Sequence, residues 1–245
     1  MSLFKKTVKL ILGAFNIHLV SSNAYKQDKY RVSVLNQLNI DLVADVGANI
    51  GQYAMELIKA GYKNKIISFE PLTDVYAALQ TASSKYPQWA VYERCAIGNE
   101  TGEVTINVSE NYESSSIYKV LDKSIEAEPA TKFVKKETVK IVKLADVLKY
   151  APGTKIHLKI DVQGFEEQAL MGAAAIFGDV SSIEVEISLV PLYEGALSPQ
   201  VLLAMLSDYG FSPAFYTSVF DDVNTGGVLQ LNGLFVKTEL LHLIS

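Results

Sequence analysis

The stretch "DLVADVGANIGQYAMELIKAGY", residues 41–62, joins an apolar run to a helical pattern through a glycine loop. Residues 41–46 have the composition of a buried strand, and residues 51–61 repeat apolar side chains at helical spacing. Gly47 and Gly51 have no Cβ, so the backbone there can adopt positive φ or approach a ligand closely. In open parallel sheets, ligands bind at the carboxyl ends of the strands, in the loops that connect each strand to the following helix. The stretch therefore predicts both an α/β sheet and the place of its site.

Strand-like and helix-like stretches alternate along most of the chain after residues 41–62. Further strands are predicted at 65–70, 90–96, 155–161 and 182–187, and helices at 73–86, from 165 and at 199–209. This order predicts a mostly parallel sheet, and two apolar runs on either side of residues 221–227 predict a closing antiparallel hairpin. Residues 98–143 break the rhythm, and we interpret them as an inserted hairpin or loop over one sheet edge.

The composition indicates one large domain with an N-terminal extension. The chain has 245 residues, 49% of them hydrophobic, which is enough for a substantial core. A net charge of -5 gives no indication of a nucleic-acid partner. The single cysteine, Cys95, favours a reducing compartment, and we expect a cytoplasmic protein. We divide the chain into a helical extension, residues 1–39, and a main domain, residues 40–245.

The beginning of the extension has an amphipathic pattern. Its apolar side chains recur at helical spacing: Phe4, Val8, Ile11, Leu12 and Phe15. The longest apolar run, residues 10–15, is much shorter than the roughly 20 residues that a spanning helix needs. We expect a helix that packs on the domain or on a second copy of the chain, or that rests on a membrane surface.

Two acidic residues accompany the glycine loop. Asp45 precedes Gly47 by two residues, and Glu70 lies nineteen residues beyond Gly51, at the end of the next strand. An acid at about this distance holds ribose hydroxyls in nucleotide-binding units. The acid before the first glycine would repel a pyrophosphate but suits an ammonium group. The pattern favours a nucleoside with an amino-acid tail, S-adenosylmethionine, over a purely structural turn.

Five blocks of sequence extend this interpretation along roughly residues 40–236. They are "DVGANIGQY", "SFEP", "CAIGNETG", "LKIDVQGFEEQALMGA" and "VEISLVPLYEG". Together they resemble the FkbM-type S-adenosylmethionine-dependent methyltransferases. The resemblance implies an α/β class I methyltransferase fold, a Rossmann-like three-layer sandwich whose mostly parallel seven-stranded sheet has an antiparallel last strand. It also implies methyl transfer, usually to a hydroxyl of a glycan or a small natural product.

The resemblance also implies which residues hold the cofactor. They are the loop, the ribose acid with its neighbour, and the segment after the third strand that lines the adenine: Asp45, Gly47, Ala48, Asn49, Gly51, Glu70, Pro71, Ala96 and Ile97. The chain departs from the family pattern twice. "CAIGN" contains no acid for the adenine amino group, so main-chain contacts must serve, and Asn232 stands where an aspartate is expected.

Polar residues alternate along two strands that the fold places side by side. His157, Lys159 and Asp161 share one face of the first strand, and Glu184 and Glu186 share one face of the second. Buried charges persist only when they are paired. We therefore predict an ion pair between Lys159 and Glu184, with Asp161 and Glu186 near the carboxyl ends of the strands.

Methyl transfer to an oxygen requires a group that accepts the proton of the attacking hydroxyl. Asp161 is the first candidate, Glu186 the second and Glu166 the third, because a neighbouring carboxylate raises the pKa of such a base. Two alternatives stay open: Asp161 binds the cofactor tail or caps a helix, and Glu186 only pairs with a buried group. A metal held by Asp161 and Glu186 has no clear third ligand, and we predict none.

Two polar segments are predicted to border the acceptor. Asn111, Ser114 and Ser115 form hydrogen bonds to it or simply make turns. Tyr193 and Glu194 follow the fifth strand, and an aromatic face with a hydroxyl tip suits a sugar ring. Two other function classes stay open: a nicotinamide-dependent oxidoreductase, which should have a third close glycine, and a protein that keeps the fold without turnover.

Overall fold

The computed structural model describes residues 24–222 and 225–244. Its helices are α1 (Ala24–Gln37), α2 (Gln52–Ala60), α3 (Thr73–Ser83), α4 (Asp122–Ala127), α5 (Leu144–Val147), α6 (Glu166–Ala173) and α7 (Pro199–Asp208). Its strands are β1 (Leu42–Val46), β2 (Lys65–Phe69), β3 (Trp89–Val91), β4 (Ala96–Ile97), β5 (Gly102–Ser109), β6 (Phe133–Val142), β7 (Ile156–Ile160), β8 (Val180–Ser188), β9 (Phe211–Asp221) and β10 (Val228–Lys237).

A seven-stranded sheet forms the centre of the fold, in the order β3-β2-β1-β7-β8-β10-β9. The pairs among the first five strands of this order are parallel. β10, the last strand of the chain, pairs antiparallel with β8 and β9. The predicted mostly parallel sheet with an antiparallel last strand is therefore confirmed. The strand order reverses between β1 and β7, which is where such sheets bind ligands.

The third predicted strand, residues 90–96, is wrong as a single element. β3 ends at Val91, and β4 joins β6 and β5 in a separate three-stranded sheet. Two of its strands, β5 and β6, belong to the inserted segment. Its apolar side chains form a cluster of their own with residues of the main domain, including Ile106, Val108, Ile141 and Phe165. The chain leaves the main sheet after Val91, and the next strand, β4, pairs with β6 instead of β2.

Helix α1 belongs to the core of the domain. It packs against α2, and its residues Val32, Val34 and Leu35 are buried in the apolar cluster on one face of the main sheet. The predicted amphipathic helix over residues 4–15 lies outside the described residues. Within residues 24–222 and 225–244, no helix is long and apolar enough to cross a membrane. The division of the chain at residue 39 stays a prediction.

Candidate active site

A cavity of about 370 Å³ lies at the carboxyl ends of the central strands, where the strand order reverses. Most of the predicted site residues line it: Asp45, Gly47, Ala48, Asn49, Glu70, Pro71, Ala96, Ile97, Ser115, Asp161 and Glu186. The others do not belong to its lining: Gly51, Asn111, Ser114, Glu166, Tyr193 and Glu194. The glycine loop and the carboxylates of the second constellation therefore share one cavity.

The two glycines of the loop serve different purposes. Gly47 has a φ of 77°, and a Cβ there would lie 1.8 Å from the carbonyl oxygen of Asp161. Gly51 has a φ of 92°, and a Cβ there would lie 2.2 Å from the ring of Trp89. Both positions need glycine for packing as well as for positive φ. Gly47 lines the cavity, whereas Gly51 begins α2 behind it.

Glu70 ties the glycine loop to the beginning of α3. Its carboxylate accepts hydrogen bonds from the backbone N–H groups of Asn49 and Leu72, both at 2.9 Å. Burial raises the pKa of Glu70 to about 7, against the opposing effect of these two hydrogen bonds. The side chain lines the cavity at the end of β2, as the spacing from Gly51 predicts.

Asp45 is buried near the end of β1, and its carboxylate is fixed by a hydrogen bond from a residue of β2. The Ser68 hydroxyl donates a hydrogen bond to its Oδ2 at 2.9 Å, and the Trp89 indole N–H donates to the Ser68 hydroxyl at 2.9 Å. Burial raises the pKa of Asp45 to about 6, although the hydrogen bond from Ser68 lowers it. Both acids of the cofactor loop therefore titrate close to neutral pH.

Gln163 brings Asp161 and Glu186 together. Its Nε2 donates hydrogen bonds to Asp161 Oδ1 at 2.7 Å and to Glu186 Oε2 at 2.9 Å. Its Oε1 accepts a hydrogen bond from the Tyr193 hydroxyl at 2.6 Å. Gln163 has a φ of 53°. Residues other than glycine adopt such a backbone conformation only where the surrounding structure holds them in it. The sequence analysis missed this residue, whose signal is its place next to Gly164 in a turn at a strand end.

The two carboxylates differ in their surroundings. Burial raises the pKa of Glu186 well above its usual value, and the negative charge of Asp161 adds to this shift. Glu186 also accepts a hydrogen bond from Gln230 at 2.7 Å. Asp161 is 31% exposed, and the Lys159 ammonium lies 3.4 Å from its Oδ2. Lys159 therefore places a positive charge beside Asp161, whereas burial favours the protonated form of Glu186 by raising its pKa.

The predicted ion pair between Lys159 and Glu184 is wrong. The two residues are neighbours in register, so the prediction of a shared polar face is right. However, Glu184 accepts hydrogen bonds from Arg31 Nε at 2.7 Å and Nη2 at 2.8 Å. Lys159 contacts Asp161 and, at 3.3 Å, Asn232 Oδ1. Arg31 belongs to α1, which no strand pattern could place beside Glu184.

Glu166, the third candidate base, does not line the cavity. Its Oε1 accepts hydrogen bonds from the backbone N–H groups of Val162, at 3.3 Å, and Gly164, at 3.0 Å. Burial raises the pKa of Glu166 to about 7, against the effect of hydrogen bonds from the backbone. These contacts make Glu166 the residue that shapes the turn around Gln163, and they give no support to its role as base.

Of the five residues predicted to border the acceptor, Ser115 lines the cavity, whereas Asn111, Ser114, Tyr193 and Glu194 do not. Asn111 Oδ1 accepts hydrogen bonds from the Ser109 hydroxyl at 2.8 Å and from the Ser114 N–H at 3.1 Å, which makes a turn. Glu194 is exposed and lies outside the cavity lining. The buried Tyr193 acts through Gln163. Within the described ranges, no group of three or more His, Cys, Asp or Glu side chains could hold a metal ion.

Comparisons with known proteins give one family match and several distant structural likenesses. The sequence model of the family described as the methyltransferase FkbM domain matches residues 45–213. No curated protein matches the chain. Two distant likenesses among solved structures are methyltransferases. Magnesium protoporphyrin IX methyltransferase from Synechocystis PCC 6803, with bound S-adenosylmethionine, is 14% identical, with a TM-score of 0.46 and 97% of this chain and 92% of that chain covered. 1,6-Didemethyltoxoflavin-N1-methyltransferase from Burkholderia thailandensis is 9% identical, with a TM-score of 0.46 and 89% and 80% covered.

Proposed function

Because the chain belongs to the FkbM methyltransferase domain family, we propose that it transfers the methyl group of S-adenosylmethionine to a hydroxyl oxygen of a sugar, a glycan or a small natural product. The observation that carries this proposal is the pair of carboxylates Asp161 and Glu186 in the same cavity as the glycine loop. Such a pair supplies the proton acceptor that an oxygen nucleophile needs.

The charge of the cavity fits a cationic cofactor. Its charged lining residues comprise six acids and one base: Asp45, Glu56, Glu70, Glu113, Asp161, Glu186 and Lys159. This excess of acids favours a ligand with an ammonium and a sulfonium group. It disfavours the pyrophosphate of a nicotinamide cofactor and the phosphates of a nucleic acid. The Glu70 carboxylate would hold the ribose hydroxyls, and Ala96 and Ile97 offer an apolar wall for the adenine.

When bound, the cofactor supplies an electrophilic methyl group. Asp161 would accept the proton that the acceptor hydroxyl loses when it takes the methyl group from the cofactor sulfur. Gln163 holds the Asp161 carboxylate in one orientation, and the Lys159 ammonium stabilises its negative charge before the proton arrives. Glu186, with its raised pKa, can donate a hydrogen bond to the acceptor. The chain's contribution is therefore orientation of the acceptor and removal of one proton.

Calorimetric titration with S-adenosylmethionine and with NAD tests the cofactor. We expect binding of the first and no binding of the second, and folded protein that binds neither would contradict the proposal.

The acceptor is then sought by incubating the protein with S-adenosylmethionine and a panel of sugars, glycans and polyketides. Mass spectrometry should detect a methyl ether. Binding without any methylation across such a panel would favour the alternative of a protein that keeps the fold without turnover.

The affinity for S-adenosylmethionine should fall as the pH is lowered from about 7.5 to about 5.5. Asp45 and Glu70 have pKa values of about 6 and about 7, above the values of about 3.9 and 4.3 expected in the unfolded chain. In the ligand-free protein, these acids therefore contribute stability at low pH that is lost as the pH rises through 6 and 7. A cationic ligand reverses this by favouring the ionised acids.

Thermal unfolding with and without S-adenosylmethionine measures this effect. The increase in melting temperature caused by the ligand should be larger at the higher pH. The Asp45→Asn variant should show a smaller pH dependence, because it has one titrating acid fewer. An equal increase at both pH values in the unmodified protein would show that these acids do not contact the cationic groups.

Location in the cytoplasm stays a prediction that rests on the cysteine content.

A further inference from the structure

A row of polar side chains crosses the main sheet beneath the cavity. Ser68 on β2, Asp45 on β1, Lys159 on β7 and Glu184 on β8 are successive neighbours in register. All four side chains are buried. Neighbouring strands lie about 4.8 Å apart, so the flexible Lys159 side chain has acids within reach on both sides. It also has Asp161 two residues further along its own strand.

Lys159 nevertheless directs its ammonium toward the cavity. Its contacts are Asp161 Oδ2 at 3.4 Å and Asn232 Oδ1 at 3.3 Å. Within the described part of the chain, Lys159 and Glu184 form no ion pair. Glu184 is already satisfied, because the guanidinium of Arg31 donates to both of its carboxylate oxygens. Such a two-point contact is stronger and more directional than a lysine contact.

The neighbours of Arg31 hold it in this position. Asp28, one turn earlier in α1, accepts a hydrogen bond from Arg31 Nη1 at 2.8 Å. The guanidinium lies 5.1 Å from the centre of the Tyr53 ring, and the Lys159 ammonium lies 5.8 Å from the same ring. The Tyr53 hydroxyl donates to Glu184 at 3.0 Å. Both cations therefore contact one aromatic ring, but only Arg31 contacts Glu184.

We propose that Arg31 is a positioning residue for the methyl-transfer site: by engaging Glu184, it leaves the ammonium of Lys159 directed at Asp161. The consequence for turnover rests on the proposed function, whereas the arrangement of charges does not. The extension helix α1 is then part of the active site, although within the described residues none of its side chains lines the cavity.

Removal of Arg31 leaves Glu184 as a fully buried carboxylate without a cation. Burial opposes ionisation of Glu184, and Arg31 outweighs this effect and lowers its pKa to about 2. The cation nearest in register is Lys159. Because a buried unpaired charge is far more costly than loss of a contact to the partly exposed Asp161, Lys159 should turn to Glu184. Asp161 and Glu186 would then stand side by side without a cation.

The electrostatic surroundings of Lys159 and Asp161 include every element packed around them. The charged or titratable groups that face the two residues are Arg31, Asp45, Tyr53, His157, Glu166, Glu184, Glu186 and Tyr193. Of these, only Arg31 is a cation in addition to Lys159. Burial lowers the pKa of His157 to about 4, so it is neutral at pH 7 and does not replace Arg31. Loss of Arg31 thus leaves Lys159 as the cation that Glu184 can recruit.

Crystal structures of Arg31→Met and of Arg31→Met/Glu184→Gln test the proposal. In the single variant, Lys159 Nζ should lie about 3 Å from Glu184 and no longer contact Asp161. In the double variant, which removes both charges, Nζ should return to Asp161. A single variant in which Nζ stays at Asp161 would overturn the proposal. A double variant in which Nζ stays away from Asp161 would do so too, because Arg31 would then act only as a structural anchor.

Turnover and lysine NMR provide a second readout. With an acceptor from the panel above, Arg31→Met should shift the acidic limb of the pH profile of kcat upward by about one pH unit, so that kcat measured on the acidic side of the limb falls about tenfold. The double variant should restore the position of the limb. If Arg31→Met does not fold, Arg31→Gln, which also removes the cation, takes its place. In this variant, the NMR resonance of the Lys159 side chain should differ from that of the unmodified protein. An unchanged resonance together with an unchanged pH profile of kcat would contradict the proposal. Folded protein that binds no S-adenosylmethionine contradicts the proposed function alone, since the crystallographic result stands separately.

Discussion

Replacement of Asp161 by asparagine should reduce turnover by about a hundredfold to ten-thousandfold, the usual contribution of a general base, while S-adenosylmethionine still binds. The amide retains the shape of the carboxylate and can still accept the hydrogen bond from Gln163 Nε2. It cannot take up the proton of the acceptor hydroxyl. The loss should therefore appear in kcat, and calorimetry should show little change in cofactor affinity.

Two further variants make this result specific. Asp146→Asn changes an exposed aspartate of α5 outside the cavity lining and should leave turnover and affinity as they are. Glu186→Gln should cost less than Asp161→Asn, because Glu186 already tends to hold a proton and acts as a donor. If Glu186→Gln costs more than Asp161→Asn, the two roles are exchanged. Equal turnover of Asp161→Asn and the unmodified protein would remove Asp161 as the base.

Replacement of Gly47 by alanine should destabilise the protein by about 4 kcal/mol or more, or prevent folding. A Cβ at this position would lie 1.8 Å from the backbone oxygen of Asp161, and backbone at the end of a central strand cannot move aside. The strand ends of β1 and β7 would have to separate. We expect the loss in the free energy of unfolding, measured with urea, and a parallel loss of cofactor binding.

Gly61→Ala is the matched control for this change. Gly61 also has a positive φ, 110°, but a Cβ there would have nothing within 4 Å. This variant therefore carries the conformational cost of a left-handed alanine alone, about 1–2 kcal/mol. The difference between the two variants isolates the steric contact between Gly47 and Asp161. Similar losses in both would mean that the loop can relax around an added methyl group.

The parts of the site that the sequence predicted well are those with a local signal. Asp45, Gly47 and Glu70 stand at strand ends, and their spacing along the chain places them at one corner of a parallel sheet. The family and the methyltransferase class, which five ordered blocks predicted, are confirmed by the match over residues 45–213. Asp161 and Glu186 meet as the alternation of polar residues predicted, because neighbouring parallel strands end at the same edge.

The parts that the sequence analysis missed depend on contacts between distant segments. Gly51 has the same local signal as Gly47, but the ring that requires its small size belongs to Trp89 on another strand. Gln163 is an ordinary polar residue in a turn until Tyr193 and the two carboxylates surround it. The division of residues 90–96 between β3 and β4 depends on their different pairing partners, β2 and β6, which no local pattern reports.

The sequence by itself determined the order of strands and helices in the main sheet, the position of the cofactor loop and the presence of buried charges, because these follow from periodicity and spacing over short distances. Only the tertiary structure decided how the charges pair. Lys159 and Glu184 are neighbours in register, yet Glu184 binds Arg31, which is 153 residues away in the chain. Pairing in a buried network depends on which cation the packing of a distant helix brings within hydrogen-bonding distance. Alternation along a strand contains no information about that helix.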